Sequence, residues 1–179
     1  MIELEKYVQD RLSDELKIVR EKFYYALNEL TAEEKTIIYD YTQKDTTDMN
    51  QGLREKPERL TPFVRYLDFS LSKVQNSPRE VVYRGVKLPE TVLQKYLELY
   101  QKDEIIIEPA FLSFSRKRTI AKQFGEVIFE VSVIKGKAIE SISYSPEEQE
   151  VLLRKGSKLS INGVEKQNNY TIVTATELA

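Results

Sequence analysis

The sequence has 179 residues without a single histidine, cysteine or tryptophan, and 27 Lys and Arg stand against 29 Asp and Glu for a net charge of -2. These absences exclude zinc fingers, His-ligated metal sites, Ser-His-Asp and Cys-His nucleophile systems and disulfides. Any catalysis must therefore run on carboxylates, hydroxyls, amines, guanidinium groups and backbone dipoles. A hydrophobic fraction of 41% with 31% charged residues describes a globular chain, and the near-neutral balance gives no electrostatic case for direct nucleic-acid binding. The length predicts one domain over 1–179, and the residue pattern divides it into a mainly helical 1–76 and a mainly β 81–179. The start, MIELEKYVQD, lacks a basic stretch followed by an apolar run, and no segment approaches the ~18 apolar residues of a membrane span. The expectation is a cytoplasmic protein with no membrane partner.

Along the chain, Leu12, Leu16, Val19, Phe23, Leu27 and Leu30 recur at spacings of three and four, which predicts one long amphipathic helix. Thr31 and Glu34 fit a capping box opening a second helix through Ile37, Ile38 and Tyr41. A short helical stretch around Asn50 and Leu53 ends near Pro57. Thr61-Pro62 opens another helix carrying Val64, Leu67, Leu71 and Val74, which Asn76-Ser77-Pro78 stops. The period then changes. Val81 to Val86 reads as a strand, Pro89 to about Tyr100 as a helix, and Lys117 to Phe124 as a small helix. Strands are predicted at 105–107, 110–114, 127–133, 151–153, 157–161 and 170–174, all rich in β-branched or apolar residues. Helices first and strands later predict an α+β fold, with a helical N-terminal portion packed on a mainly antiparallel sheet or sandwich.

Three pieces could carry chemistry. Arg84 lies inside an apolar strand, where a guanidinium needs a partner, and Gly85 beside it lets a ligand or another backbone come close. An edge-strand arginine facing solvent is the plainer alternative. In Phe111-Leu112-Ser113-Phe114-Ser115, strand alternation turns Ser113 away from the face of Leu112 and Phe114. The following Arg116-Lys117-Arg118 is either a solvated turn or a place to meet a diphosphate. Third, Glu148 and Glu150 are two apart ahead of Val151-Leu152-Leu153, so on a strand they would share a face. Shielded from water, such a pair raises at least one pKa and suits general-base work near neutral pH; left in water, it is an acidic turn.

Taken in order, VVYRGV, AFLSFSRKRTIAKQFG and SPEEQEVLLRKGSKLSI resemble the mono-ADP-ribosyltransferases of the arginine-serine-glutamate class. IIYDYT followed by MNQGLR is similar to the helix-turn-helix piece beside the NAD cleft in clostridial binary-toxin and related members. The histidine branch of that class is excluded by composition. The resemblance implies an ADP-ribosyltransferase-like β-sandwich domain that uses NAD as co-substrate and needs no metal. It implies that Arg84 holds NAD's phosphates or ribose, with the Gly85 backbone near the nicotinamide amide. Ser113 would orient Glu150 and the nicotinamide ribose, Phe124 would stack on nicotinamide, Arg116 would meet the diphosphate, and Tyr41 and Asn50 would touch NAD. Glu150 would stabilise the oxocarbenium-like state, and Glu148 would orient and deprotonate the acceptor.

Glutamate at position 148 goes, in the family, with arginine acceptors, so the implied partner is a protein presenting arginine, with Tyr144 helping to recognise it. Phe114, where the best-known pattern has Thr, should face the core. Short chains with EQEVLL before a Gly-Ser turn are similar to phage-encoded enzymes that modify host proteins, and toxin catalytic domains share the motifs. NAD glycohydrolysis, or a catalytically silent binding module on the same fold, are the competing expectations.

Overall fold

A computed structural model describes residues 2–179 of the chain. The helical half contains α1 (Ile2–Arg11), α2 (Ser13–Lys22), α3 (Ala32–Gln43), α4 (Thr47–Glu55) and α5 (Pro62–Lys73). Then follow β1 (Glu80–Val86), α6 (Glu90–Gln101), β2 (Ile105–Glu108), β3 (Leu112–Ser115), α7 (Arg118–Ala121), β4 (Val127–Val133) and β5 (Lys137–Ala138). Two 3-10 turns, Glu140–Ile142 and Pro146–Glu148, lead into β6 (Glu150–Leu153), β7 (Ser157–Gln167) and β8 (Tyr170–Leu178).

The long helix expected over Leu12 to Leu30 does not form. The backbone leaves the helical region at Leu12 (φ -135°), α2 stops at Lys22, and Leu27 adopts φ +45° in an irregular turn. The apolar spacing persists because Phe23, Ala26, Leu27 and Leu30 still pack on the helical core from that turn. Burial, rather than helical geometry, set the pattern. The Lys35 ammonium donates to the carbonyls of Phe23 and Tyr24, both at 3.1 Å, and so satisfies the acceptors that the early stop exposes. Upstream, α1 continues the stripe with Leu4 and Val8. The capping box of α3 is present, with Thr31 Oγ1 accepting from the Glu34 N–H at 3.2 Å and Glu34 Oε2 from the Thr31 N–H at 2.9 Å. Thr61 caps α5, with Pro62 in its first turn.

The strands form one hydrogen-bonded sheet in the order β2-β7-β8-β4-β1-β3-β6-β5, antiparallel throughout except for the parallel pair β4 and β8. Leu159 and Ile161 of β7 share a core with Leu112 and Phe114 of β3 and with Val151 and Leu153 of β6, although these strands are far apart in the order. The sheet therefore curls so that its two parts face each other, and the expected sandwich is made from one continuous sheet. β7 and β8 run well past the expected ends, because the Asn162-Gly163 interruption is absorbed as a bulge and Asn168, at φ +53°, turns a tight hairpin. A second core joins Ile37, Ile38, Leu67 and Leu71 of the helices to Phe111, Ile139, Ile142 and Leu152. That junction fixes the helical layer against the end of the sheet where the charged residues collect.

Candidate active site

β1 lies between β4 and β3, so Arg84 stands on an interior strand and the edge-strand reading fails. Its Nη1 donates to the Ser113 carbonyl at 3.0 Å. β3 pairs with β6 so that Ser115 faces Glu150, and alternation sends Ser113 to the same side. From there the Ser113 hydroxyl donates to Glu150 Oε1 at 2.5 Å. Phe114 points the other way into the core, as expected. Arg84, Ser113 and Glu150 thus meet across three neighbouring strands, joined through one hydroxyl and one carbonyl.

Glu150 is 7% exposed, and burial pushes its carboxyl up to about 7; Glu148 adds to the rise, while the Ser113 hydroxyl and Arg84 oppose it. Burial and Glu147 raise Glu148 as well. The two acids do come together, but not by strand alternation. Glu148 ends a 3-10 turn and Gln149 is left-handed at φ +48°, so the strand begins only at Glu150. A turn delivers Glu148 to the mouth. The Ser115 hydroxyl donates to the Glu148 carbonyl at 2.5 Å and accepts from the Lys117 N–H at 2.9 Å, clamping that turn to β3. Ser115 thus joins the site, a residue to which the sequence motifs assign no role. The same-face spacing of Ser113 and Ser115 was its only signal.

A cleft of about 520 Å³ brings Arg84, Gly85, Ser113, Glu148 and Glu150 together with Tyr41 and Phe124, a size suited to a small organic substrate. The segment from Lys44 to Thr47, at the start of α4, supplies wall residues that sequence reading did not single out. Gly85 is required by a close approach of backbone: a Cβ there would fall 1.7 Å from the Ala121 carbonyl oxygen, so α7 sits directly on β1. Phe124, half exposed just beyond α7, overhangs the cleft.

Two expected NAD contacts lie elsewhere in the structure. Arg116 is absent from the cleft wall; Glu80 grips it through Nε at 2.6 Å and Nη2 at 2.9 Å, and Glu140 takes Nη1 at 2.7 Å. Three of its five N–H donors are held by two carboxylates. Asn50 also lies behind the wall. Its Oδ1 accepts from the Phe111 N–H at 3.2 Å and its Nδ2 donates to the Tyr41 hydroxyl at 3.5 Å, so it holds Tyr41 in place from behind. Tyr144, expected to help recognise an acceptor protein, stands outside the cleft, 61% exposed, with its N–H on Thr42 Oγ1 at 2.9 Å. Among the described residues, no group of three or more acidic side chains is placed to hold a metal ion. None of the described helices is long and apolar enough to cross a membrane.

A sequence profile described as ADP-ribosyltransferase exoenzyme matches residues 19–179. The chain belongs to this family. Mav of Mycobacterium avium (strain 104), assigned by name as an NAD(+)–arginine ADP-ribosyltransferase, is 30% identical over 158 residues, which are 84% of this chain and 18% of Mav. Vis of Vibrio splendidus (strain 12B01), assigned by the same activity, is 24% identical over 164 residues, 80% of this chain and 64% of Vis. The chain therefore spans less than two thirds of either relative.

The fold of the ADP-ribosyltransferase exoenzymes recurs in solved structures. HopU1 of Pseudomonas syringae pv. Tomato DC3000 matches with a TM-score of 0.77 and 21% identity, covering 89% of this chain and 82% of that one. Exoenzyme S of Pseudomonas aeruginosa, solved with human 14-3-3 protein beta and carba-NAD, matches at 0.80 and 16%, covering 97% and 86%. Vis in complex with agmatine matches at 0.64 and 20%, covering 93% and 86%.

Proposed function

We propose that the chain transfers ADP-ribose from NAD to an arginine side chain of a protein acceptor, releasing nicotinamide. The observation that carries this reading is the buried Glu150, held by Ser113 beside Arg84, with Glu148 at the mouth of the same cleft. Family membership supports the transferase class. The names of the two curated relatives, and the guanidine compound agmatine in the Vis complex, support arginine as acceptor.

On this reading Arg84 offers its remaining guanidinium donors to NAD's ribose or phosphates, and Phe124 stacks on the nicotinamide. The ionised Glu150 accepts a hydrogen bond from the ribose 2′-hydroxyl and stabilises positive charge at C1′ as the bond to nicotinamide breaks. Nicotinamide leaves with the electron pair of that bond. An acceptor guanidinium nitrogen then bonds to C1′, and Glu148 takes the proton it sheds. That assistance matters because a guanidinium has a pKa above ~12 and is a poor nucleophile until it loses a proton. A preorganised charge in a water-poor site often makes the greatest single contribution to such catalysis.

The test follows nicotinamide release and acceptor labelling separately. Glu150→Gln should lower both by about 10²–10³-fold, the loss expected for one preorganised group. Glu148→Gln should lower labelling while leaving more NAD hydrolysis than Glu150→Gln leaves. Mass spectrometry of a lysate treated with the protein and NAD should locate ADP-ribose on arginine. Undiminished labelling by Glu150→Gln would sink the mechanism, and modification on another side chain would sink the acceptor assignment.

A further inference from the structure

Between α2 and α3 the chain makes an irregular turn that pushes Tyr24 and Tyr25 outward, at 70% and 83% exposure, with their rings edge to face at 4.9 Å. This turn is built to hold its shape. Lys35 donates to the carbonyls of Phe23 and Tyr24, and the Leu30 N–H donates to the Leu27 carbonyl at 2.9 Å. From it a row of rings runs over α3: Phe23 lies 5.6 Å from Tyr39, and Tyr39 lies 6.3 Å from Tyr144. The Tyr144 N–H binds Thr42, which lines the cleft, so the row ends beside its mouth. Next to Tyr24, Val19, Phe23 and Leu30 help to line a shallow groove of about 610 Å³.

A single exposed tyrosine needs no explanation, but three, linked through Phe23 and the buried Tyr39 and set beside a groove, describe a contact surface. Tyrosine supplies large contact area with a polar tip at low conformational cost, which is why it concentrates at interface hot spots. We infer that the surface carrying Tyr144, Tyr24 and Tyr25 is where the acceptor protein docks. Continuity with the cleft that takes the arginine favours this occupant over a second copy of the chain. So does charge: Glu147 and Glu148 stand at one end and Glu15 near Tyr39 along the row, while the groove's basic residues are engaged, Arg20 by Glu33 at 3.0 Å and Lys35 by backbone carbonyls. These acids complement an arginine-bearing partner. The inference rests on the arginine-transfer reading and extends it from the reacting side chain to the surface around it.

The test compares wild type with the Tyr24→Ser, Tyr25→Ser double variant, using biotin-labelled NAD and two kinds of acceptor: agmatine, a free guanidine too small to reach the face, and the proteins of a bacterial and a eukaryotic lysate. The variant should label discrete lysate proteins about tenfold or more slowly, while agmatine labelling, nicotinamide release and the melting temperature stay at wild-type values. Unchanged protein labelling overturns the surface, as does equal loss on protein and agmatine. Agmatine labelled by wild type with no discrete protein in either lysate also overturns the surface alone. A dimer dispersed by the variant with protein labelling intact would assign the face to self-association instead. Failure of the wild type to label agmatine would remove the arginine reading and this surface with it.

Discussion

At the scale of single residues, the burial that raises the Glu150 carboxyl also costs stability. In the folded chain its carboxyl titrates near 7 against an ordinary 4.5. The folded state therefore keeps a proton that the unfolded state has already lost between those values, so its contribution to stability falls as pH rises through that window. The full loss, about 3 kcal/mol, applies above pH ~7. Glu150→Gln should accordingly melt about 5 °C or more above wild type at pH 8, with the difference closing near pH 4, as thermal unfolding at the two pH values would show. The proposed mechanism uses the ionised form, so kcat/KM for NAD should fall about tenfold per pH unit below ~7. The Ser113 hydroxyl opposes the rise and Glu148 adds to it. Ser113→Ala should therefore move this profile to higher pH, and Glu148→Gln to lower pH. Profiles that do not move would mean that these groups do not set the charge on Glu150.

At the scale of elements, the meeting of β1 and α7 is the tightest part of the site. Gly125 mirrors Gly85, since a Cβ on Gly125 would lie 2.1 Å from the Val86 carbonyl carbon. Gly85→Ala would have to lift α7, whose overhang carries Phe124, and fixed backbone cannot rotate away as a side chain can. We expect a loss of about 3 kcal/mol in thermal unfolding and at least tenfold weaker NAD binding by calorimetry. Most elements were readable from the sequence, because capping residues, prolines and the change from helical to strand period are local signals. Two features were not. The apolar spacing through Leu27 and Leu30 is the same for a helix and for a turn packed on the same core, so periodicity could not see the end at Lys22. Glu148 and Glu150 do share the cleft, but strand alternation was the wrong reason to expect it, since the left-handed Gln149 interrupts the strand between them.

At the scale of the whole molecule, the site sits where the helical core meets the sheet. Phe111 marks that junction: it is 1% exposed, its ring lies 6.0 Å from Tyr41, and its N–H binds Asn50. Phe111→Ala should cost about 3–5 kcal/mol and free the Tyr41 wall of the cleft, seen as a lowered melting temperature together with a raised KM for NAD. The sequence by itself determined the exclusion of imidazole and thiol chemistry and the α+β order, and its motif order carried the resemblance that singled out Arg84, Ser113 and Glu150. Tertiary structure alone decided that Arg116 is held by Glu80 and Glu140, that Asn50 works from behind Tyr41, that Ser115 clamps the Glu148 turn, and that one curled sheet makes both faces of the sandwich. The physical reason is the same in each case. A charged or polar side chain is defined by the partners that compensate its burial, and those partners come from residues distant in sequence that only the folded chain brings within reach.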